Sequence, residues 1–152
     1  MPLSPQWSYG ILQLLFQAVG TNTTNIAVPS TLGTNASLWL SLHTAQPTSN
    51  AQSTSEAAYT SYARIPIVRG SSAGAFTATQ GTSAGAASSI SPNATLSFPA
   101  ATGGSETETY FGLGLSSAGA GTLLLSGTIT PSLAVSNGVT PQLTTGTALT
   151  IS

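Results

Sequence analysis

Two short runs in which apolar side chains alternate with others restrict the fold more than anything else in this chain. In Ser37–His43 (SLWLSLH), Leu38, Leu40 and Leu42 alternate with Trp39, Ser41 and His43. A period of two is what a strand with one buried face requires, and a helix does not present it. In the second run Ala63, Ile65 and Ile67 alternate with Arg64, Pro66 and Val68. Proline has no amide hydrogen to give to a ladder, so Pro66 places this run at a sheet edge or a bulge. The stretch Ser37–Arg69 therefore reads as two strands joined by a long polar loop, Thr44–Ala58, projecting from the sheet. It holds both arginines, the only histidine and one of the three acids, Glu56.

Further strand-like runs follow, divided by Gly, Pro and Asn. Gly70–Ser91 is a small-residue segment with Phe76 as its only large apolar side chain, either a long loop or a weak strand around Ala75–Ala78. Ala94–Pro99 alternates again, and Glu106–Leu115 (ETETYFGLGL) puts Glu106, Glu108 and Tyr110 on one face before turning apolar. Runs at Thr122–Ser126, Ser132–Val135 and Ala148–Ile151 complete the series, with Asn137-Gly138 as a type I′ turn signal. Short strands at this spacing describe an all-β fold, a β-sandwich or jelly roll.

One helix precedes them. Trp7, Ile11, Leu14 or Leu15 and Ala18 fall at helical spacing, with Ser4 as N-cap, Pro5 at the first helical position and Gly20 as the stop. The expected organisation is a helical arm over residues 1–20 and a single β-sandwich domain over 21–152. The N-terminus has no basic leader, and Gln13 and Gln17 interrupt an apolar run too short to span a bilayer.

The five charges, Glu56, Glu106, Glu108, Arg64 and Arg69, are 3% of the chain, far below the roughly 25% of ordinary domains. Polarity comes instead from 23 Ser and 24 Thr. A surface of short hydroxyls with a net charge of -1 repels its own copies weakly. Two arginines neutralise few phosphates, so neither nucleic acid nor an anionic membrane is an expected partner. With 40% hydrophobic residues and almost no charge, the composition is that of a folded chain and not of a disordered one.

Catalytic sets are hard to assemble from what remains. A serine hydrolase needs a base and an acid to orient it; His43 is the only candidate base, and there is no Asp or nucleophile-elbow motif. Absence of Cys removes thiolate catalysis, thiolate metal sites and disulfides. Glu106 and Glu108, two residues apart, read as a solvated strand face, and no Asp-rich loop accompanies them to build a calcium site. The Gly-rich pieces GSSAGAF and GLGLSSAGAG lack a phosphate-binding lysine. The residues thus point away from an enzyme and require no cofactor or metal. Arg64 and Arg69 are either solvated or paired, with Glu56 or with a neighbouring subunit.

The succession LWLSLHTAQPTSNAQSTSEAAYTSYARIPIVRG, ATLSFPAATGG, TYFGLGLSSAGAGTLLLSGTIT and TTGTALTIS resembles a family of small virion structural proteins of tailed bacteriophages. The matching segments are Leu42–Pro47, Tyr62–Arg64, Phe98–Gly103, Phe111–Leu113 and Gly146–Ile151. Some members are labelled tail-fibre proteins, and others resemble head decoration or cement proteins. The resemblance implies a β-sandwich that assembles on a virion, commonly as a homotrimer, and no enzyme. The near absence of Asp and Lys departs from the family and carries no charged contacts over.

Together these features set the expectation of a capsid decoration or cement protein on the outer surface of the head, contacting the major capsid protein and itself. Candidate interface residues are Trp7, Ile11, Trp39, His43, Tyr62, Arg64 and Arg69. The alternative is a tail-fibre or baseplate module that binds a host glycan, with Trp39, Tyr59, Tyr62 and Tyr110 as stacking candidates.

Overall fold

The computed structural model describes residues 4–17, 37–68, 76–83 and 86–151. Helix α1 (Pro5–Leu12) continues as a π-helical turn (Gln13–Gln17). Among the described residues nine strands follow: β1 (Ser37–His43), β2 (Ile65–Val68), β3 (Phe76–Thr79), β4 (Ser88–Pro92), β5 (Leu96–Ser97), β6 (Ser105–Gly114), β7 (Leu123–Ser136), β8 (Gln142–Leu143) and β9 (Ala148–Ile151). Seven of them form one curled antiparallel sheet in the order β2-β1-β6-β7-β9-β4-β3, and β5 pairs with β8 as a separate ribbon. The expected all-β class is the one observed.

The opening pair of runs behaves as its pattern requires. Leu38 faces Ile67 and Leu40 faces Ile65 across β1 and β2, and Pro66 lies on β2, an edge strand of the sheet. On the other side of β1, Leu40 meets Leu113 and Leu42 meets Phe111 of β6. Leu38, Leu40, Leu42, Phe111 and Leu113 are fully buried and share one core with Ile90, Leu149 and Phe76.

Two runs read as separate strands merge into β7, 14 residues long. Glu108 of β6 faces Leu133 of β7 and Tyr110 faces Thr128, so Ile129–Ser132 lie opposite Thr109 alone. Pro131 sits in that bulge, and β9 has already ended its pairing at Thr130. The proline's missing amide therefore costs no ladder bond, which is how it stays inside a long strand. At Asn137-Gly138 the chain does turn, but only Gly138 (φ 84°) has positive φ, so the turn is not type I′. Instead of starting a hairpin, the chain leaves toward Ala101, which exchanges backbone bonds with Gly138 and Val139 at 2.7 and 2.8 Å.

Strand β4 lies in the segment read as loop or weak strand. It is held by pairing with β3 on one side and β9 on the other, and Ser88, Ile90 and Pro92 face inward. Ser4 caps α1, accepting from the Trp7 amide at 3.4 Å. The inner face of the helix differs from the expected stripe: Ser8, Leu12, Leu15 and Phe16 are buried, whereas Trp7 is 56% exposed. Winding passes from α to π at Gln13, which rotates the following residues relative to a 3.6-residue repeat. Phe16 meets Phe76 of β3 edge to face at 4.7 Å between ring centroids. The described part of the arm is thus docked into the core of the sheet. The expected stop at Gly20 and the partner Ala18 lie outside the described residues.

Candidate functional site

The alternation of β1 predicts one buried face, yet Ser41 and His43 on the opposite face are also fully buried. The cause is the 44–58 loop, which does not project but folds back over β1 and β6. Its ends are tied by Thr44 N–H to Ser55 O at 3.0 Å and Ala57 N–H to Leu42 O at 2.8 Å, and Leu123 N–H bonds Asn50 O at 2.7 Å. Beneath it, Gly112 of β6 pairs with Ser41 and Gly114 with Trp39. A Cβ on Gly112 would run into the His43 ring and Ser41 Oγ, and one on Gly114 into the Gln52 amide. The glycines therefore form a floor on which Ser41 and His43 of β1 and Gln52 of the loop lie. Gln52, fully buried, donates to Trp39 O at 3.3 Å and accepts from Ser116 N–H at 3.1 Å.

Sequence reasoning passed over Gln52. The signal was the alternation of glycine with Phe111, Leu113 and Leu115 in FGLGL, because glycine inside a strand often marks the close approach of other atoms.

His43 Nδ1 lies 2.9 Å from Thr54 O, and its Nε2 lies 2.8 Å from Ser41 Oγ. A carbonyl only accepts, so Nδ1 carries the hydrogen and Nε2 of the neutral ring accepts from the serine hydroxyl, whose single hydrogen is shared with Gly112 O at 3.1 Å. Burial lowers the His43 pKa below its ordinary 6.5 against the raising influence of the Thr54 carbonyl, which favours that neutral ring. The Ser41–His43 distance suits a nucleophile and base. Both side chains are sealed from solvent, however, and behind the imidazole stands a backbone carbonyl instead of a carboxylate. What this pair does here is hold Thr54, and with it the loop, on β1.

An ion pair closes the end of the cluster. Arg64 Nε donates to Glu56 Oε1 at 2.6 Å and Nη2 to Glu56 Oε2 at 2.7 Å. Nη1 also reaches Ser116 O at 2.9 Å and Nη2 reaches Gly119 O at 2.6 Å. One guanidinium thus ties the 44–58 loop, the start of β2 and the β6–β7 connection together. Tyr62 donates its hydroxyl to Glu56 Oε1 at 2.9 Å and accepts from Leu42 N–H at 3.1 Å. Burial pushes that phenol far above its ordinary range. Of the options for Arg64, solvated or paired with Glu56 or with a neighbouring subunit, the pair with Glu56 is what forms.

The acids of β6 overturn the reading as a solvated face. Glu106 Oε1 accepts from the amides of Ala58 at 2.9 Å and Tyr59 at 2.8 Å, and Glu108 is fully buried. The two side chains point the same way, as their spacing requires, but segment 57–60 covers them. Burial, then the charges of Glu108 and Glu106, push the Tyr59 phenol up to about 12.

The expected interface residues therefore fall into two groups. His43, Tyr62 and Arg64 meet in the polar cluster, to which Trp39 contributes its carbonyl; His43 and Arg64 are buried, and Tyr62 is packed against the core. The polar atoms of His43 and Arg64 already bond within the chain. Trp7 and Ile11 lie apart on α1, with Ile11 packed partly on the core, and Arg69 lies outside the described residues. Among the described residues no three His, Cys, Asp or Glu side chains gather as a metal centre, and no helix is long and apolar enough to cross a membrane.

Residues 16–152 match the model of the Podophage GP4 fiber I protein gp80 family. The chain belongs to that family. It is accordingly a bacteriophage structural protein, as the sequence resemblance implied at that level. None of the curated proteins matches the chain.

Proposed function

We propose that this gp80-family chain is a non-catalytic building block of a phage fibre on the virion, joining copies of itself and a neighbouring virion protein without a cofactor. The carrying observation is where its charges go. Arg64 and Glu56 are bonded to each other, Glu106 binds two backbone amides and Glu108 is buried. Four of the five charged residues are thus committed to the inside of the subunit. Among the described residues the outside is left to hydroxyls, amides and a few exposed apolar side chains (Trp7, Leu115, Leu124 and Val139), a surface that packs against its own kind with little electrostatic repulsion. Membership of a fiber protein family supports the fibre over the capsid as its place.

Host-glycan binding by an aromatic platform fits less well. Tyr59 is buried, and Tyr62 is enclosed by Tyr59 at 5.3 Å and Phe98 at 6.4 Å between ring centroids. Trp39 and Tyr110 are mostly buried.

Quantitative mass spectrometry of purified virions, with electron cryomicroscopy of intact particles, tests the placement. The fibre reading expects copies in proportion to fibres and density at the tail. Copies in proportion to the major capsid protein, with density on the head, would instead establish the decoration role. Light scattering of the purified chain tests self-assembly, for which a homotrimer is expected. Because few ion pairs are available to screen, the assembly should survive rising salt; dissociation at modest ionic strength would count against it.

A further inference from the structure

We propose that Glu106 and Glu108 share one proton and form a pH-sensitive latch that fastens segment 58–60 to β6. The geometry leaves the pair an incomplete set of donors. Glu106 Oε1 is the acceptor for the Ala58 and Tyr59 amides, which makes it the fastening point of the segment. Glu108, two residues further along the same face, is fully buried, and neither of its oxygens has a hydrogen-bond donor.

Two ionised carboxylates offer each other only lone pairs. One proton changes this, since a neutral Glu108 donates to Glu106 and the buried pair then carries a single charge. Burial first, then the Glu106 charge and this bond, raise the Glu108 pKa to about 8. The titratable groups facing Glu108 are Glu106 on its own strand and Tyr59 from the covering segment, whose hydroxyl donates to Pro99 O at 3.0 Å. Strand β7 places Leu133 and Val135 opposite the two acids, so no cation from that strand neutralises them.

The sign follows from where the proton resides. The folded chain holds a proton that the unfolded chain releases near pH 4.5, so the contribution is fully present below that pH. It declines as pH rises and is lost above about 8, where both acids are ionised. Repulsion then acts on the group that binds Ala58 and Tyr59. The segment it releases includes the exposed Ala58 and Thr60.

The chain contains three glutamates and no aspartate, so labelling the glutamate carboxyl carbon with 13C gives three side-chain resonances. In a titration of the full chain, one resonance should move with a midpoint near 8 and should vanish in Glu108→Gln. Amide exchange protection of Ala58 and Tyr59 should fall at least about tenfold across that midpoint in the native chain and stay constant in Glu108→Gln, which imitates the neutral acid. Glu106→Gln keeps an acceptor for the amides but removes the charge, and should lower the Glu108 midpoint. Titration of all three resonances below about pH 5, the ordinary carboxylate range, would overturn the proposal. So would protection that ignores the titration. Calcium chloride that shifts the Glu106 and Glu108 resonances at pH 9 and restores protection would replace the shared proton with a cation site.

Discussion

Replacing Arg64 by methionine removes the guanidinium while keeping an unbranched stem, and the structure indicates what is left behind. Four hydrogen bonds go: two to Glu56, one to Ser116 O and one to Gly119 O. The Arg64 side chain is 2% exposed and that of Glu56 14%, so this is a buried pair and not a surface one. Glu56 retains the Tyr62 hydroxyl, but its largely buried charge is then left with no other arginine among the described residues to pair it. Stranding one member of a buried pair costs about 3–5 kcal/mol, and the residual exposure of Glu56 places the expectation near the lower figure. For a domain of this size 1 kcal/mol moves the thermal midpoint by roughly 2–4 °C, so a loss of about 6–12 °C is expected.

Calorimetry and urea denaturation of Arg64→Met, Glu56→Leu and the double variant measure it as a cycle. Removing both charges should recover a large part of the loss, because an apolar pair is no worse than a stranded ion. A single-variant cost below about 1 kcal/mol with no coupling would be the behaviour of an exposed pair. That result would refute the reasoning that this guanidinium binds three segments together.

Other expectations concern the same face of the sheet. The lowered pKa of His43 means that the unfolded chain takes up a proton which the folded chain refuses, so its contribution is whole above pH 6.5 and is lost on acidification. In a Glu108→Gln background, the unfolding free energy from urea denaturation should fall below pH 6.5 with a slope of up to about 1.4 kcal/mol per pH unit. A flat curve there would contradict a buried neutral imidazole. Gly114→Ala drives a methyl group into the Gln52 amide and the Thr122 carbonyl, and overpacking of this kind costs about 1–3 kcal/mol. Trimming Gln52 to alanine should relieve only part of it, since the Thr122 backbone remains; a fully stable Gly114→Ala protein would show that the loop does not lie on the glycine floor.

Much of the scaffold was legible because it depends on local rules. The alternation in SLWLSLH and IPIV set two strands, Pro66 narrowed the second to an edge or a bulge, and Ser4 set the start of the helix. These are properties of a residue and its neighbours in sequence. Strand β4 was not legible, because Ser-Ser-Ile-Ser-Pro has little intrinsic strand character and is held by partners on both sides. Nor was the union of two runs into β7, where a bulge opposite Thr109 makes room for Pro131.

The sequence by itself determined that the chain is all-β, starts with one capped helix and has almost no charge to place on its surface. Tertiary structure decided where those few charges went. Pairing Arg64 with Glu56, burying Glu108 and laying Gln52 on Gly114 each join residues far apart along the chain. The spacing of residues states which face a side chain takes, but whether that face meets water depends on what folds over it. The 44–58 loop and segment 57–60 fold back onto β1 and β6, so the faces expected to be polar and solvated became the second, hydrogen-bonded interior of the protein.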